Sequence, residues 1–343
     1  MEKINTVEKP KVMKIWILLT LALAGLQTQI LTGATPNRYT VVELPAAAGA
    51  DFFVPRRINN RGEMAGNLDF STGPFKDNAH AAFYRQGVTV DVHLLAGGHT
   101  NLTSQFVDLN DRGQAILFVE GDTDGRYFIY RNGKLKDLPQ LPEPYYFEPV
   151  ALNNAGWVAG TIYVIPANEV LQAVLYKRGA FRELGLPGVA SESADINDRG
   201  QIPGRHGGDG VIFSRNRIQD LGEIDSPMRI NNRGDILALA SPSPFDGGVV
   251  RFKNREKLVR LPFQPSAIND RREIVGSMTV FDHDLNSHGV VHVGGITYDL
   301  NDLIDPGVAK VIYAYDINNR GQIVAWGRAS TGRWSGLLLT PDR

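Results

Sequence analysis

A short motif, Ile/Leu-Asn-Asn/Asp-Arg-Gly, recurs seven times in this chain and constrains its fold more than any other feature. The copies begin at Ile58, Leu109, Leu152, Ile196, Ile230, Ile268 and Ile317. Their separations are 51, 43, 44, 34, 38 and 49 residues. From Arg38 to Arg343 there are 306 residues, about 44 per copy. A period in the forties, accompanied only by strand signals, belongs to propellers, in which each repeat is one four-stranded blade.

The motif reads as a tight turn between two antiparallel strands. Its first Asn, present in all seven copies, has a short side chain that accepts a backbone N–H two residues on and starts the turn. Arg follows two residues later, with Ala155 in its place in the third copy. The Gly that ends the motif supplies a left-handed residue, as in a type I turn closed by a bulge. The sixth copy has Arg272 at that position, which predicts a strained hairpin or a different turn. Beyond the Gly the pattern alternates. Met64, Ala115, Val158, Ile202, Ile236, Ile274 and Ile323 are all apolar, and two positions later the residue is nearly always small. Period two marks a half-buried strand.

A second hairpin follows each of the first six copies, and its closing strand tends to end in acid-Leu, as at Asp137-Leu138 and Asp299-Leu300. The seventh unit lacks that closing strand. Residues 38–44, Arg-Tyr-Thr-Val-Val-Glu-Leu, carry the same acid-Leu ending and are expected to pair with residues 337–339. The predicted fold is therefore all-β: a seven-bladed β-propeller of four-stranded antiparallel blades, its ring closed by the N-terminal strand pairing with the C-terminal blade. Closure removes exposed sheet edges, and a monomer is expected.

The copies, for example Ile196-Asn-Asp-Arg-Gly-Gln-Ile-Pro-Gly204, together with His80-Ala-Ala-Phe-Tyr, resemble the HAF repeat family of probable extracellular repeats. The resemblance covers essentially everything after Arg38. It implies a propeller-like repeat protein outside the cell and implies no reaction. Arg272 and the weak third strands of the last four units depart from the family's usual pattern.

Export is also written in the first residues. Lys9, Lys11 and Lys14 precede an apolar run from Ile15 to Leu26, about 12 residues and too short to span a bilayer. Residues 1–34 are expected to be a signal peptide, cleaved after Ala24 or Ala34, and 35–343 a single propeller domain, secreted to a bacterial periplasm or the extracellular space. No membrane span is expected in the mature chain. A formal net charge of −1 supplies no basic field for nucleic acid. With no cysteine, disulfides, thiolate metal sites and Cys nucleophiles are excluded.

No hydrolase elbow, zinc-protease, phosphate-loop or dinucleotide motif is present. No cofactor is therefore expected, with Ca2+ the one exception to consider. Asp282, Asp284 and Asn286 alternate like the start of a calcium loop, but the Gly is misplaced and no closing Glu follows; a solvated loop is the plainer reading. The motif turns are short and repetitive, so their face reads as structural, and the motif arginines read as partners of the recurrent acids. The loops of the opposite face vary and carry Phe75, Tyr145, Tyr146, Phe147, Phe245 and Trp334. Variable loops on a rigid scaffold are where binding resides, and aromatic rings there stack on sugars or anchor proteins; alternatively these rings cap blade cores. The expectation is a secreted, non-enzymatic binding or scaffold module for a glycan or extracellular protein. The alternative is an extracellular polysaccharide hydrolase or lyase with its site at the propeller axis.

Overall fold

Each repeat folds as one blade, built from the motif outward. In the first blade, β2 (Phe52–Ile58) runs into the motif turn and β3 (Met64–Asp69) returns from it; β4 (His80–Arg85) and β5 (Val88–Asp91) complete the sheet in the order β2-β3-β4-β5. The same order is repeated from β6 (Ser104–Leu109) to β9 (Lys134–Asp137), β10 (Tyr145–Leu152) to β13 (Ala180–Glu183), β14 (Ser191–Ser193) to β17 (Arg217–Asp220), β18 (Pro227–Ile230) to β21 (Val259–Leu261), and β22 (Gln264–Ile268) to β25 (Ile296–Asp299). The third strands that read weakly in the sequence are all formed. This computed structural model describes residues 37–71, 78–97, 102–121, 125–165, 169–215, 217–239, 247–253, 257–279 and 287–342. All of them lie in one compact unit, Pro36–Arg343. The signal-peptide and cleavage-site expectations fall outside the described residues.

The seventh blade closes the ring as the sequence predicts. It contains β26 (Ala309–Ile317), β27 (Ile323–Ala329) and β28 (Trp334–Pro341), and its outermost strand is β1 (Tyr39–Glu43). Val41 faces Leu339, Val42 faces Leu338 and Glu43 faces Leu337. The strand is pinned at both ends: Tyr39 N donates to Leu303 O at 2.8 Å, and Leu44 N donates to Gly336 O at 2.8 Å. Arg38 adds a 2.9 Å ion pair to Asp305.

The alternating residues behave as their period requires. The apolar residue two positions after the turn is buried in all seven blades, from Met64 to Ile323. Each of the Met, Val and Ile side chains among them contributes roughly 1.5–3 kcal/mol by leaving water. The acid-Leu endings place their apolar residue between blades, and Leu44, Leu138, Leu221 and Leu300 are buried. The outer hairpins turn through two residues of positive φ, such as Gln86-Gly87 and Asn132-Gly133, the type I′ geometry that matches strand twist.

The small residue four positions after the turn has a local cause. A Cβ added at Gly66, Gly204 or Gly276 would lie 2.0 Å from a carbonyl oxygen of the inner strand (Val54, Glu192 and Gln264 respectively). At Gly66 and Gly276 that strand is bulged, with register shifts between Pro55 and Arg57 and between Pro265 and Ala267. Bulges re-aim the side chain that follows them, and this positions the centre of the molecule.

Candidate functional site

The propeller has two unlike faces, and the motif builds one of them. Asn59 Oδ1 accepts from the backbone N–H groups of Arg61 and Glu63, both at 3.0 Å. Gly62, at φ +81°, completes the turn by donating to Asn59 O. The Asn59 amide then reaches the next blade and donates to Asn110 O at 3.1 Å. Every motif Asn repeats this. Asn110 donates to Asn153 O, Asn153 to Asn197 O, Asn197 to Asn231 O, Asn231 to Asn269 O, Asn269 to Asn318 O, and Asn318 back to Asn59 O. Seven blades are thus linked by a closed cycle of buried hydrogen bonds.

The next motif residue forms a second closed cycle. Its backbone N–H donates to the side-chain oxygen of its counterpart one blade on, from Asn60 to Asp111 at 2.7 Å around to Asn319 and Asn60 at 2.7 Å. Asn and Asp alternate along this cycle except where Asn319 meets Asn60, so an Asn amide can donate to a neighbouring carboxylate; Asn154 does so to both Asp111 and Asp198. Arg61 and Arg271 pair with Glu63 and Glu273 two residues on, at 2.6 and 2.7 Å. Other motif arginines do not follow the expected pairing with acids: Arg199 and Arg233 reach backbone carbonyls of the next blade, at 3.5 and 3.4 Å.

Inside the cycles lies an axial cavity of about 180 Å³. The residue before the motif contributes to it in six of the seven repeats: Arg57, Asp108, Asp195, Arg229, Ala267 and Asp316. Three carboxylates from three blades share a desolvated space, and burial pushes all three above the ordinary aspartate range, Asp195 to about 7. Asp195 is raised further by Asp108. Burial disfavours the charge on Arg57, but the surrounding Asp316, Asp108 and Asp195 outweigh it and hold the guanidinium protonated. Arg57 Nε pairs with Asp108 at 3.3 Å. Each carboxylate also accepts the backbone N–H of the next blade's motif: Asp316 from Ile58, Asp108 from Leu152 and Asp195 from Ile230, all at 2.9 Å. This hub was not foreseen from the sequence, where its one signal is a charged residue immediately before the motif in five of the seven repeats.

The opposite face is aromatic. The exposed aromatic rings among the described residues are Tyr145, Tyr313 and Trp334, at 47, 40 and 38%. Tyr145 and Tyr146 border a hollow of about 460 Å³ between blades 2 and 3, with Tyr127 Oη and Tyr146 Oη 3.1 Å apart. Phe147 leaves the surface group: it is 3% exposed and sits edge-on to Phe181 in the core, because strand alternation turns its ring inward. Trp334 borders a second hollow, of about 560 Å³, where inner strands of blades 5, 6 and 7 converge. Two residues of that hollow, Tyr313 and Tyr315, were not singled out in the sequence because they lie within a strand. Trp334 stacks on Trp326 at 5.6 Å and 9°, and Tyr313 on Tyr315 at 6.2 Å and 14°. Of the six expected positions, the four described ones divide between two hollows and the core. Phe75, Phe245, Asp282, Asp284 and Asn286 lie outside the described residues.

Among the described residues, no cluster of three or more His, Asp or Glu side chains has a geometry that could hold a metal ion. His288 and His292, which share a strand face, bond instead to Asp299 and Thr297 of β25. Nor is any described helix long and apolar enough to cross a membrane.

No family model matches the chain, and no curated protein does. Solved structures similar to it are propellers at low identity. TolB from Acinetobacter baumannii is 8% identical with a TM-score of 0.45, covering 82% of this chain, which spans 64% of the TolB chain. The β-propeller domain of the trilobed protease from Pyrococcus furiosus is 10% identical (TM-score 0.45; 84% of this chain, 95% of that one). YCF48 from Cyanidioschyzon merolae is 10% identical (TM-score 0.46; 88% and 98%).

Proposed function

We propose that this chain is an exported, non-enzymatic binding module of the HAF-repeat kind, and that it holds a glycan on its aromatic face. One observation carries the reading: the two faces differ in what they leave available. The motif face engages its recurrent Asn and Asn/Asp side chains in two closed hydrogen-bond cycles. The loop face leaves Tyr145, Tyr313 and Trp334 exposed on the walls of open hollows. Flat rings with adjacent hydroxyls match the apolar face and polar edge of a pyranose. An extracellular protein anchored by the same rings is the other occupant of this class.

The test is a glycan array probed with the purified protein and with Trp334→Ala and Tyr145→Ala. Selective binding, weakened about tenfold or more by one of the two substitutions at unchanged melting temperature, is expected. Unchanged binding by both variants would remove the loop face from consideration.

A specific feature supports the alternative, a polysaccharide hydrolase or lyase. Burial raises the Glu148 carboxyl; Tyr163 hydrogen-bonds it and Glu192 lies close enough to repel it. Release of reducing ends from a bound polysaccharide, abolished by Glu148→Gln, would replace the binding-module reading with that one.

A further inference from the structure

Resting on the glycan-binding reading above, we propose that the hollow of blades 5 to 7 takes an acidic glycan, one whose sugars carry carboxylates, as uronic acids do. The hollow is lined by Trp334, Tyr313 and Tyr315 together with the hydroxyls of Ser266, Ser277 and Thr279. None of its described lining residues carries a charge. Both aromatic pairs on its wall, however, are accompanied by an arginine. The Arg56 guanidinium lies 4.4 Å over the Tyr315 ring, and that of Arg328 lies 5.1 Å from the centre of Trp334. Both arginines are exposed.

The arrangement has a chemical meaning. A guanidinium laid on a ring keeps its N–H donors in its own plane, directed sideways, where a carboxylate can be met by two parallel bonds. The ring beneath also fixes the side chain, which lowers the entropy lost on capture. A neutral sugar uses the aromatic surfaces and hydroxyls alone. A uronate uses these and adds a charge-assisted contact at the rim. The two arginines come from different strands, β2 and β27, so two acidic residues along one oligosaccharide can be engaged together.

The experiment is calorimetric titration of the purified protein with three oligosaccharides: an oligogalacturonate, a neutral galactan of the same length and a sulfated galactan. The oligogalacturonate is expected to bind about tenfold or more tightly than the neutral chain. That gap should close as NaCl is raised from about 0.05 M to about 0.5 M. Arg56→Gln with Arg328→Gln should erase the preference while the melting temperature and neutral-chain affinity hold. Trp334→Ala should weaken both ligands. Equal binding of acidic and neutral chains, or a preference that survives loss of both arginines, would overturn the acidic assignment and leave the glycan reading standing. Binding of the sulfated chain alone would overturn the carboxylate assignment. Failure of all three to bind would remove both this inference and the glycan reading it rests on.

Discussion

Arg272 occupies a backbone position that the other six motif copies give to glycine. Its φ is +68°, beside the +69° to +87° spanned by its counterparts, so the turn is preserved and the residue carries the strain. The turn's hydrogen bond is also retained, from Arg272 N to Asn269 O at 3.0 Å. What holds an L side chain there is what it reaches. The guanidinium grips Asp235 of the preceding blade with two bonds, at 3.0 and 3.2 Å, and lies 4.8 Å over Phe252. Burial would raise the Asp235 carboxyl, but Arg272, Asn231 and the Lys253 N–H together hold it below the ordinary range. Arg272→Ala keeps the strain and strands a buried carboxylate, so it is expected to destabilise the fold by roughly 2–3 kcal/mol. Arg272→Gly loses the same pair but relieves the backbone, by about 1 kcal/mol. Denaturant titration of both variants should rank glycine above alanine; the reverse order would show that the backbone at this position is unstrained.

At the scale of single elements, β1 decides whether the seventh blade is a sheet or an open edge. Without it, residues 337–341 of β28 would present unpaired N–H and C=O groups along a strand whose Leu337 and Leu339 are buried. An apolar strand with an unpaired edge is a template for association. Deleting residues 37–43 is therefore expected to lower the melting temperature and to give larger species by light scattering than the intact chain gives. A truncated chain unchanged in size and stability from the original would mean that closure rests on the hydrogen-bond cycles alone. The inner strands illustrate the converse dependence, of element on neighbour. Their bulges at Pro55, Pro149, Pro227 and Pro265 cost regular pairing, yet they direct the next charged or small residue toward the axis.

Across the whole molecule, the axial hub couples stability to pH. Asp195 titrates near 7 in the folded state, against 3.8 ordinarily, because burial and Asp108 disfavour its charge. A carboxyl with a raised folded pKa contributes most below its unfolded value, and that contribution is lost as pH rises through about 7. Between mildly acid and mildly alkaline conditions the ring should therefore lose stability, on the order of a few kcal/mol. Asp195→Asn should flatten the profile, measured as the urea midpoint against pH; a wild-type profile already flat across that range would refute the coupling. The sequence by itself determined the blade count, the four-strand unit, the motif turns and the closing strand. Each of these is a periodic pattern whose physical cause lies within about ten residues or in a visible mismatch between the two ends. It also placed binding potential on the variable loops and named Tyr145, Tyr146 and Trp334. Only the tertiary structure decided that Asn59 bonds to Asn110 and Asn318 to Asn59, that Arg57 faces carboxylates of blades 2, 4 and 7, and that Trp334 shares a hollow with Tyr313. The Asn59–Asn110 and Asn318–Asn59 bonds join residues 51 and 259 positions apart around a ring, and no local pattern records which side chains a closed ring brings to one axis.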